Sequence, residues 1–219
     1  MLLGRLPASL AKLLYMIKTI FFDFDGVLTT DSSGWFTTCK NINVRLPEIS
    51  FDHIVACYKK NREMLNIGTV DHKDVWQEFC SCLGEGLDIT VLSEAFTNTP
   101  RNEPMFNVVT KLSKKYTLGI ITDNNRERFR LLEKTMELEE LFPIRILSAD
   151  VGGMKDDRPI FDKALKASGT KAEECVFVDN HEHNLVVPRT MGFHTFCHDQ
   201  EKNDVGAFTK WLEGIGVTI

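Results

Sequence analysis

The stretch Phe22-Asp23-Phe24-Asp25-Gly26-Val27-Leu28-Thr29 decides how the rest of the sequence is interpreted. It overlaps the run Thr19-Ile20-Phe21-Phe22, whose β-branched and aromatic residues predict a buried strand. The strand ends abruptly at two carboxylates, Asp23 and Asp25. Open parallel sheets bind their ligands beyond the carboxyl ends of the strands, so this end is a candidate site.

The remainder of the chain has two regions of different character. From residue 105 onward, strand and helix patterns alternate, which predicts an α/β fold with a parallel sheet. Residues 31–104 contain no comparable strand run and suit amphipathic helices, and the turn-rich stretch 97–104 marks their expected boundary. We therefore predict an α/β core formed by 17–30 and 105–219, with a helical insert at 31–104. Predicted strands after the first are 117–121, 143–147, 175–178 and 194–196, and predicted helices are 51–65, 75–83, 108–115, 126–140, 159–168, 185–191 and 204–213.

Composition excludes several classes of protein. The 219 residues are 43% hydrophobic and 26% charged, as in an ordinary soluble domain. The net charge of -5 provides no basic surface for nucleic acid, and no apolar run is long enough to span a membrane. The six cysteines form no Cys-x-x-Cys pairs, so we expect no zinc site and reduced thiols in a cytoplasmic protein.

Residues 1–16 are interpreted apart from the core. The segment contains no acidic residue, and its bases are Arg5 and Lys12. A targeting peptide, a non-essential extension and a start codon upstream of the true start at Met16 all remain open.

Polar residues follow four of the predicted strands. Because the carboxyl ends of parallel strands meet at one edge of a sheet, we expect these side chains to converge. Carboxylates, a hydroxyl and a lysine together can hold a divalent cation and a phosphoryl group. The residues are Asp23, Asp25, Thr122, Asp123, Asn124, Lys155, Asp179 and Asn180.

Four short motifs then carry a family resemblance that covers about residues 17–219. The segment 22–29 resembles the first motif of the haloacid dehalogenase (HAD) superfamily, and Ile120-Ile121-Thr122-Asp123-Asn124 is similar to the second. Gly152-Gly153-Met154-Lys155 resembles the third, and Val176-Phe177-Val178-Asp179-Asn180 the fourth. The resemblance implies a Rossmann-like core with sheet order 5-4-1-2-3 and a cap inserted between the first two motifs, where 31–104 fits.

The resemblance also implies the role of each residue. Asp23 is the expected nucleophile, which forms an aspartyl-phosphate, and Asp25 the acid and then the base. Thr122 is expected to hold a phosphoryl oxygen, and Lys155 to screen the negative charge. The expected substrate-binding residues are Thr122, Asp123, Asn124 and Lys155, and the expected Mg²⁺ ligands are Asp23, Asp25, Asp179 and Asn180.

Two positions depart from the family's usual pattern. The second position of the fourth motif is commonly an aspartate that binds magnesium, but here it is Asn180, an uncharged ligand. The third motif usually continues Lys-Pro-Asp-Pro, but here it continues Lys155-Asp156-Asp157-Arg158-Pro159. His181 and His183 follow the fourth motif, and we interpret them as surface residues rather than metal ligands. Trp35 and Phe36 are interpreted as packing residues of the insert.

The favoured function is a magnesium-dependent phosphatase acting on a small phosphorylated metabolite, as a monomer or homodimer. A phosphomutase and a metal-independent haloacid dehalogenase share the fold; Asp25 argues against the dehalogenase and Asn180 lends it some support. A catalytically weakened phosphate-binding module is the alternative from another class.

Overall fold

The central feature is a five-stranded parallel sheet. The structure is a computed structural model that describes residues 16–219, so the predicted extension, apart from Met16, lies outside the described residues. The strands are β1 (Thr19–Phe22), β2 (Thr117–Thr122), β3 (Ile144–Leu147), β4 (Cys175–Asp179) and β5 (His194–Cys197), in the order β3-β2-β1-β4-β5. The predicted order and the α/β fold class with a Rossmann-like sheet are confirmed.

Strand β1 lies in the middle of the sheet. Ile20 pairs with Leu118 of β2 on one side and with Val176 of β4 on the other. All four β1 residues are buried, because helices cover both faces of the sheet. One face packs against a cluster that includes Phe22, Phe106 and Phe142, and the other against a cluster that includes Phe161. The central position of β1 places Asp23 in the middle of the carboxyl edge.

The segment 34–97 is entirely helical apart from its turns. Its helices are α1 (Gly34–Arg45), α2 (Phe51–Lys59), α3 (Arg62–Asn66), α4 (His72–Leu83) and α5 (Val91–Thr97). They bury a hydrophobic cluster of their own, which includes Ile54, Phe79 and Phe96. The predicted helix 51–65 is broken into α2 and α3 around Asn61. The boundary at 31–104 stays a prediction, although Thr30 N–H donates to Pro100 O at the base of this region.

The remaining helices belong to the core. They are α6 (Glu103–Leu112), α7 (Arg126–Thr135), α8 (Leu138–Leu141), α9 (Ser148–Val151), α10 (Arg158–Ser168), α11 (Val186–Met191) and α12 (Val205–Gly214). The predicted helix 126–140 is two helices, because Glu137 adopts a left-handed conformation with φ of 53° that ends the first. No helix in residues 16–219 is long and apolar enough to cross a membrane.

The cysteines differ from expectation. Cys57 of α2 and Cys82 of α4 form a disulfide with Cα atoms 5.8 Å apart, so the expectation that all six thiols are reduced is wrong for this pair. The packing of α2 against α4 brings together two residues that are 25 positions apart, which no spacing motif signals. Cys39, Cys80, Cys175 and Cys197 are free thiols.

Candidate active site

A tight turn after β1 presents the two aspartates of the first motif. Asp23 N–H donates to Val178 O at 2.8 Å, which ties the turn to β4. Gly26 has φ of 80°, and a Cβ at this position would overlap the side chain of Asn180. Glycine is therefore required here both for its backbone conformation and for the close approach of the fourth motif.

A cavity of about 390 Å³ opens at this edge of the sheet. Its volume falls in the range typical of small-molecule sites. Six of the eight residues predicted from the strand ends line it: Asp23, Asp25, Thr122, Asp123, Asn124 and Lys155. The other two, Asp179 and Asn180, are not lining residues: Asp179 is fully buried and bonded to Lys155, and the Asn180 amide lies against Gly26.

Lys155 joins three of the aspartates. Its Nζ lies 2.9 Å from Asp23 Oδ1 and donates to Asp179 Oδ2 at 2.6 Å. Its backbone N–H donates to Asp123 Oδ1 at 3.1 Å, which fixes the loop of the third motif. Asn184 Nδ2 lies 3.1 Å from both Asp179 oxygens and donates to that carboxylate. Lys155 is thus held in place despite the altered residues that follow it.

The pKa values of this cluster reflect burial and crowding of like charges. Burial raises the pKa of Asp23 above its usual value, and Asp179 and Asp25 add to the rise against the opposing ammonium of Lys155. Burial also raises the pKa of Asp123. Burial alone would lower the pKa of Lys155, but the carboxylates of Asp179, Asp23 and Asp123 raise it well above its usual range. Three carboxyl groups therefore lie close to one ammonium, and the cluster is short of positive charge.

Asp25 has a separate, buried partner. Arg128 of α7 donates to both of its oxygens, from Nη2 to Oδ1 at 2.7 Å and from Nη1 to Oδ2 at 2.9 Å. Asn124 Nδ2 donates to Oδ2 at 3.0 Å. The Arg128 side chain is 0% exposed, and a Cβ on Gly34 would overlap both members of the pair. Asp25 therefore lies in a bidentate ion pair, the geometry in which arginine holds a carboxylate most firmly.

Arg128 and Asn184 were missed by sequence reasoning. The run Arg126-Glu127-Arg128 resembles a solvated helix face, so its charge gave no hint of burial. The helical period does hold a signal, because Arg128 shares the buried stripe of α7 with Phe129 and Leu132. An arginine on an apolar stripe has to find a carboxylate partner in the interior.

Two other predicted residues occupy distinct environments. Thr122 is buried at the end of β2, and its hydroxyl makes no hydrogen bond to any residue in 16–219, which leaves it available to a ligand. His181 and His183 line the edge of the cavity. Within the described chain, no cluster of three or more His, Cys, Asp or Glu side chains could hold a metal ion.

The helices at 34–97 supply the opposite wall of the cavity and dock on the core. Trp35, Arg62 and Asn66 line the cavity. Ser148 Oγ donates to Asn66 O at 2.7 Å, and His72 N–H donates to Glu127 Oε1 at 2.7 Å. The cavity therefore lies between the sheet edge and these helices.

Comparison with known proteins decides the family. A sequence profile described as haloacid dehalogenase-like hydrolase matches residues 20–197. The chain belongs to the haloacid dehalogenase-like hydrolase family. This HAD-like chain is 32% identical over 201 residues to bifunctional epoxide hydrolase 2 of Rattus norvegicus, a match that covers 82% of this chain and 36% of the rat protein. It is 30% identical over 94 residues to pyrophosphatase PpaX of Bacillus cereus, covering 42% of this chain and 44% of that protein. The chain thus spans less than half the length of the curated relatives it matches.

Solved structures show the same fold. A HAD family enzyme, bt-2542 of Bacteroides thetaiotaomicron, superposes with a TM-score of 0.72 at 18% identity, covering 88% of this chain and 98% of that one. The bt-2542 enzyme has also been solved in complex with magnesium and inorganic phosphate. L-2-haloacid dehalogenase of Xanthobacter autotrophicus superposes with a TM-score of 0.62 at 15% identity, covering 82% of this chain and 76% of that one. The fold of this chain is therefore shared by the bt-2542 enzyme and by the L-2-haloacid dehalogenase.

The donor set of the site is compatible with magnesium. Asn180 Nδ2 donates to Gln200 Oε1 and Ser32 O, while its Oδ1 is buried and accepts no hydrogen bond within the described part of the chain. Asp23 Oδ2 is likewise free of partners in residues 16–219. Mg²⁺ in proteins is commonly held by one or two side-chain oxygens, with water and substrate phosphate completing the shell. Both oxygens of Asp25 and of Asp179 accept hydrogen bonds from described residues, whereas Asp23 and Asn180 each keep one oxygen without such a partner. Asp23 and Asn180 therefore have the acceptor capacity that magnesium needs, and the ligand roles of Asp25 and Asp179 stay predictions.

Proposed function

We propose that this HAD-like hydrolase is a magnesium-dependent phosphatase that acts on a small phosphorylated metabolite. The observation that carries the proposal is the arrangement of Asp23. One oxygen of its carboxylate is fixed by Lys155 at 2.9 Å, and the residue lines the cavity with its other oxygen unpartnered by residues 16–219. A nucleophile held in one orientation lowers the entropic cost of attack.

The chemistry follows from that arrangement. One oxygen of the Asp23 carboxylate forms a bond to phosphorus while the bond from phosphorus to the leaving oxygen breaks, which gives an aspartyl-phosphate and an alkoxide that takes up a proton from water. The other oxygen of Asp23 stays available to Lys155 and to magnesium. Water then attacks the phosphorus, and inorganic phosphate and the free Asp23 carboxylate are released. Lys155 and the Thr122 hydroxyl are positioned to bind phosphoryl oxygens during both steps.

The charge of the site supports a metal-dependent reaction. The ammonium of Lys155 contacts Asp23 and Asp179, and Asp123 accepts from the Lys155 backbone N–H, so an anionic phosphoryl group approaches a cluster of three carboxyl groups and one ammonium. Magnesium, when bound, supplies the positive charge that screens this repulsion and stabilises the phosphoryl oxygens. Asp23 and Asn180 are the residues that would hold it.

Asp25 has a restricted part in proton transfer. Both of its oxygens accept hydrogen bonds, two from Arg128 and one from Asn124. To donate a proton to the leaving oxygen, Asp25 must first lose one of these contacts and take up a proton from water. The closed arrangement therefore favours substrates whose leaving oxygen departs as a stable anion.

A haloacid dehalogenase is the second candidate. A halide leaves without a proton, which suits an Asp25 that is held by Arg128, and the uncharged Asn180 weakens the metal site. In this case Asp23 would attack carbon rather than phosphorus.

Turnover assays separate these functions. We expect hydrolysis of p-nitrophenyl phosphate that requires magnesium and is lost in Asp23→Asn. Asp156→Asn is the matched control, because Asp156 lines the same cavity but lies outside the cluster of Lys155 side-chain contacts. Chloride release from 2-chloropropionate without metal would support the dehalogenase instead. Binding of phosphate esters without turnover of any would contradict both and support the binding module.

A further inference from the structure

Arg62 is a cation in the cavity that has no acidic partner in the described chain. It is half-buried at the start of α3 and lines the cavity. None of the ion pairs or side-chain hydrogen bonds of residues 16–219 includes it. A guanidinium carries five N–H donors. Those of Arg62 donate no hydrogen bond to any residue in 16–219.

The surroundings of Arg62 hold the guanidinium in position. Its Cζ lies 4.9 Å from the centre of the Trp35 ring, within the range of a cation–π contact. Trp35 itself lines the cavity, so the stacked pair forms part of the wall. Asn66 follows Arg62 by one helical turn and lines the cavity as well, which places an amide on the same face of α3.

The two cations of the cavity are therefore unlike each other. Lys155 is matched by Asp23 at 2.9 Å and Asp179 at 2.6 Å, whereas Arg62 faces the cavity without a carboxylate. A guanidinium that is partly withdrawn from water and lacks a counter-ion is best satisfied by an anionic ligand, and its planar fork suits the two oxygens of a carboxylate or phosphate.

We propose that Arg62, with Asn66 beside it, binds a second anionic group of the substrate. The inference rests on the proposed phosphatase function and narrows its substrate class to compounds that carry a carboxylate or a second phosphate besides the phosphoryl group that is removed. The phosphoryl group and the second anionic group would both bind in one cavity of about 390 Å³, which limits the substrate to a small molecule.

A matched series of substrates tests this subsite. Propyl phosphate has one anionic group, 3-phosphonooxypropanoate adds a carboxylate, and propane-1,3-diyl bisphosphate adds a phosphate. We expect Arg62→Ala to reduce kcat/KM for one or both doubly anionic compounds by about tenfold to a hundredfold, the loss typical of a charge-assisted contact. Propyl phosphate should change by less than about twofold, because it does not reach the subsite. The compound with the larger loss identifies the second group.

Lys59→Ala provides the control. Lys59 also lies over the Trp35 ring, 5.4 Å from its centre, but it does not line the cavity. The substitution Lys59→Ala removes a positive charge over the same aromatic ring, and it should leave kcat/KM for all three substrates unchanged. Arg62→Lys should reduce kcat/KM for the doubly anionic compounds less than Arg62→Ala does, because lysine keeps the positive charge but lacks the planar guanidinium.

The outcomes are distinct. An equal loss for all three substrates, no loss at all, or the same loss in Lys59→Ala would overturn the subsite while the phosphatase activity still stood. Absence of turnover by the unmodified protein, with p-nitrophenyl phosphate as well as with the three alkyl phosphates, would overturn the phosphatase proposal. Calorimetry then tests the subsite without turnover, with the three compounds binding to Asp23→Asn. Tighter binding of the doubly anionic compounds than of propyl phosphate, lost when Arg62→Ala is added, supports the subsite. Equal affinity for all three compounds contradicts it.

Discussion

Replacing Arg128 by Met would break the buried ion pair with Asp25 while it keeps most of the side-chain volume. Arg128 is fully buried, and its two contacts at 2.7 and 2.9 Å are the strongest that Asp25 makes. Removing one partner of a buried pair costs about 3–5 kcal/mol because the other charge remains uncompensated. For a chain of this size, that loss corresponds to a fall in Tm of about 6–20 °C.

Urea denaturation of a double-mutant cycle would measure this coupling. Arg128→Met and Asp25→Asn should each lower the free energy of unfolding, and the double variant should lose about 0.5–3 kcal/mol less than their sum. The cycle is run with a chelator, so that metal binding does not contribute. Arg130→Met is the control on the same helix. Arg130 is half-exposed in its pairs with Glu133 and Asp150, so its loss should cost no more than about 1 kcal/mol. Additivity within about 0.5 kcal/mol would refute the coupling.

Three further perturbations test other parts of the site. Asn180→Asp should tighten magnesium binding by adding a charge to the ligand set; unchanged magnesium dependence of turnover would show that position 180 does not ligate. The pKa of Glu127 lies at about 2, because the contacts with His72 outweigh the effect of burial. The stability that the Glu127–His72 contact contributes is therefore complete above about pH 4.5 and is lost as the pH falls toward 2. Glu127→Gln should remove that part of the acid dependence of stability, worth at most about 1 kcal/mol at this half-exposed site, and an unchanged pH profile would contradict it. Gly34→Ala should destabilise the chain in thermal unfolding, since its Cβ would overlap the buried ion pair, whereas Gly86→Ala has open space around it and should change stability by no more than about 0.5 kcal/mol; equal effects would contradict the close packing at Gly34.

The strand ends explain why so much of the site was predictable. Asp23, Thr122 and Asp179 each stand where a hydrophobic strand pattern stops, and parallel strands end at one edge. Lys155 was placed by its motif, and the structure shows its ammonium between two of the aspartates. The order of the strands came from the family resemblance and is confirmed. The catalytic and ligand roles of these residues stay predictions.

The residues that sequence reasoning missed come from helices. Arg128, Arg62 and Asn184 occupy segments where polar side chains ordinarily face solvent. The partner of Arg128, Asp25, lies 103 positions away in the sequence, and Arg62 faces a cavity that only the folded chain forms. Asn184 lies five positions after its partner Asp179, but no pattern in the sequence indicates that contact. The disulfide between Cys57 and Cys82 was missed for the same reason, because only the packing of two helices brings the thiols together. Local periodicity can place a residue on one face of a helix, but it does not identify the residues that pack against that face.

The covalent role of Asp23 is tested most directly by trapping the intermediate. A single turnover of p-nitrophenyl phosphate is quenched in acid, treated with borohydride and analysed by peptide mass spectrometry. Because borohydride reduces an aspartyl-phosphate to homoserine, we expect that conversion at position 23 alone, dependent on substrate and absent in Asp23→Asn. Conversion at another aspartate, or turnover with position 23 unmodified, would contradict the assignment of Asp23 as the nucleophile.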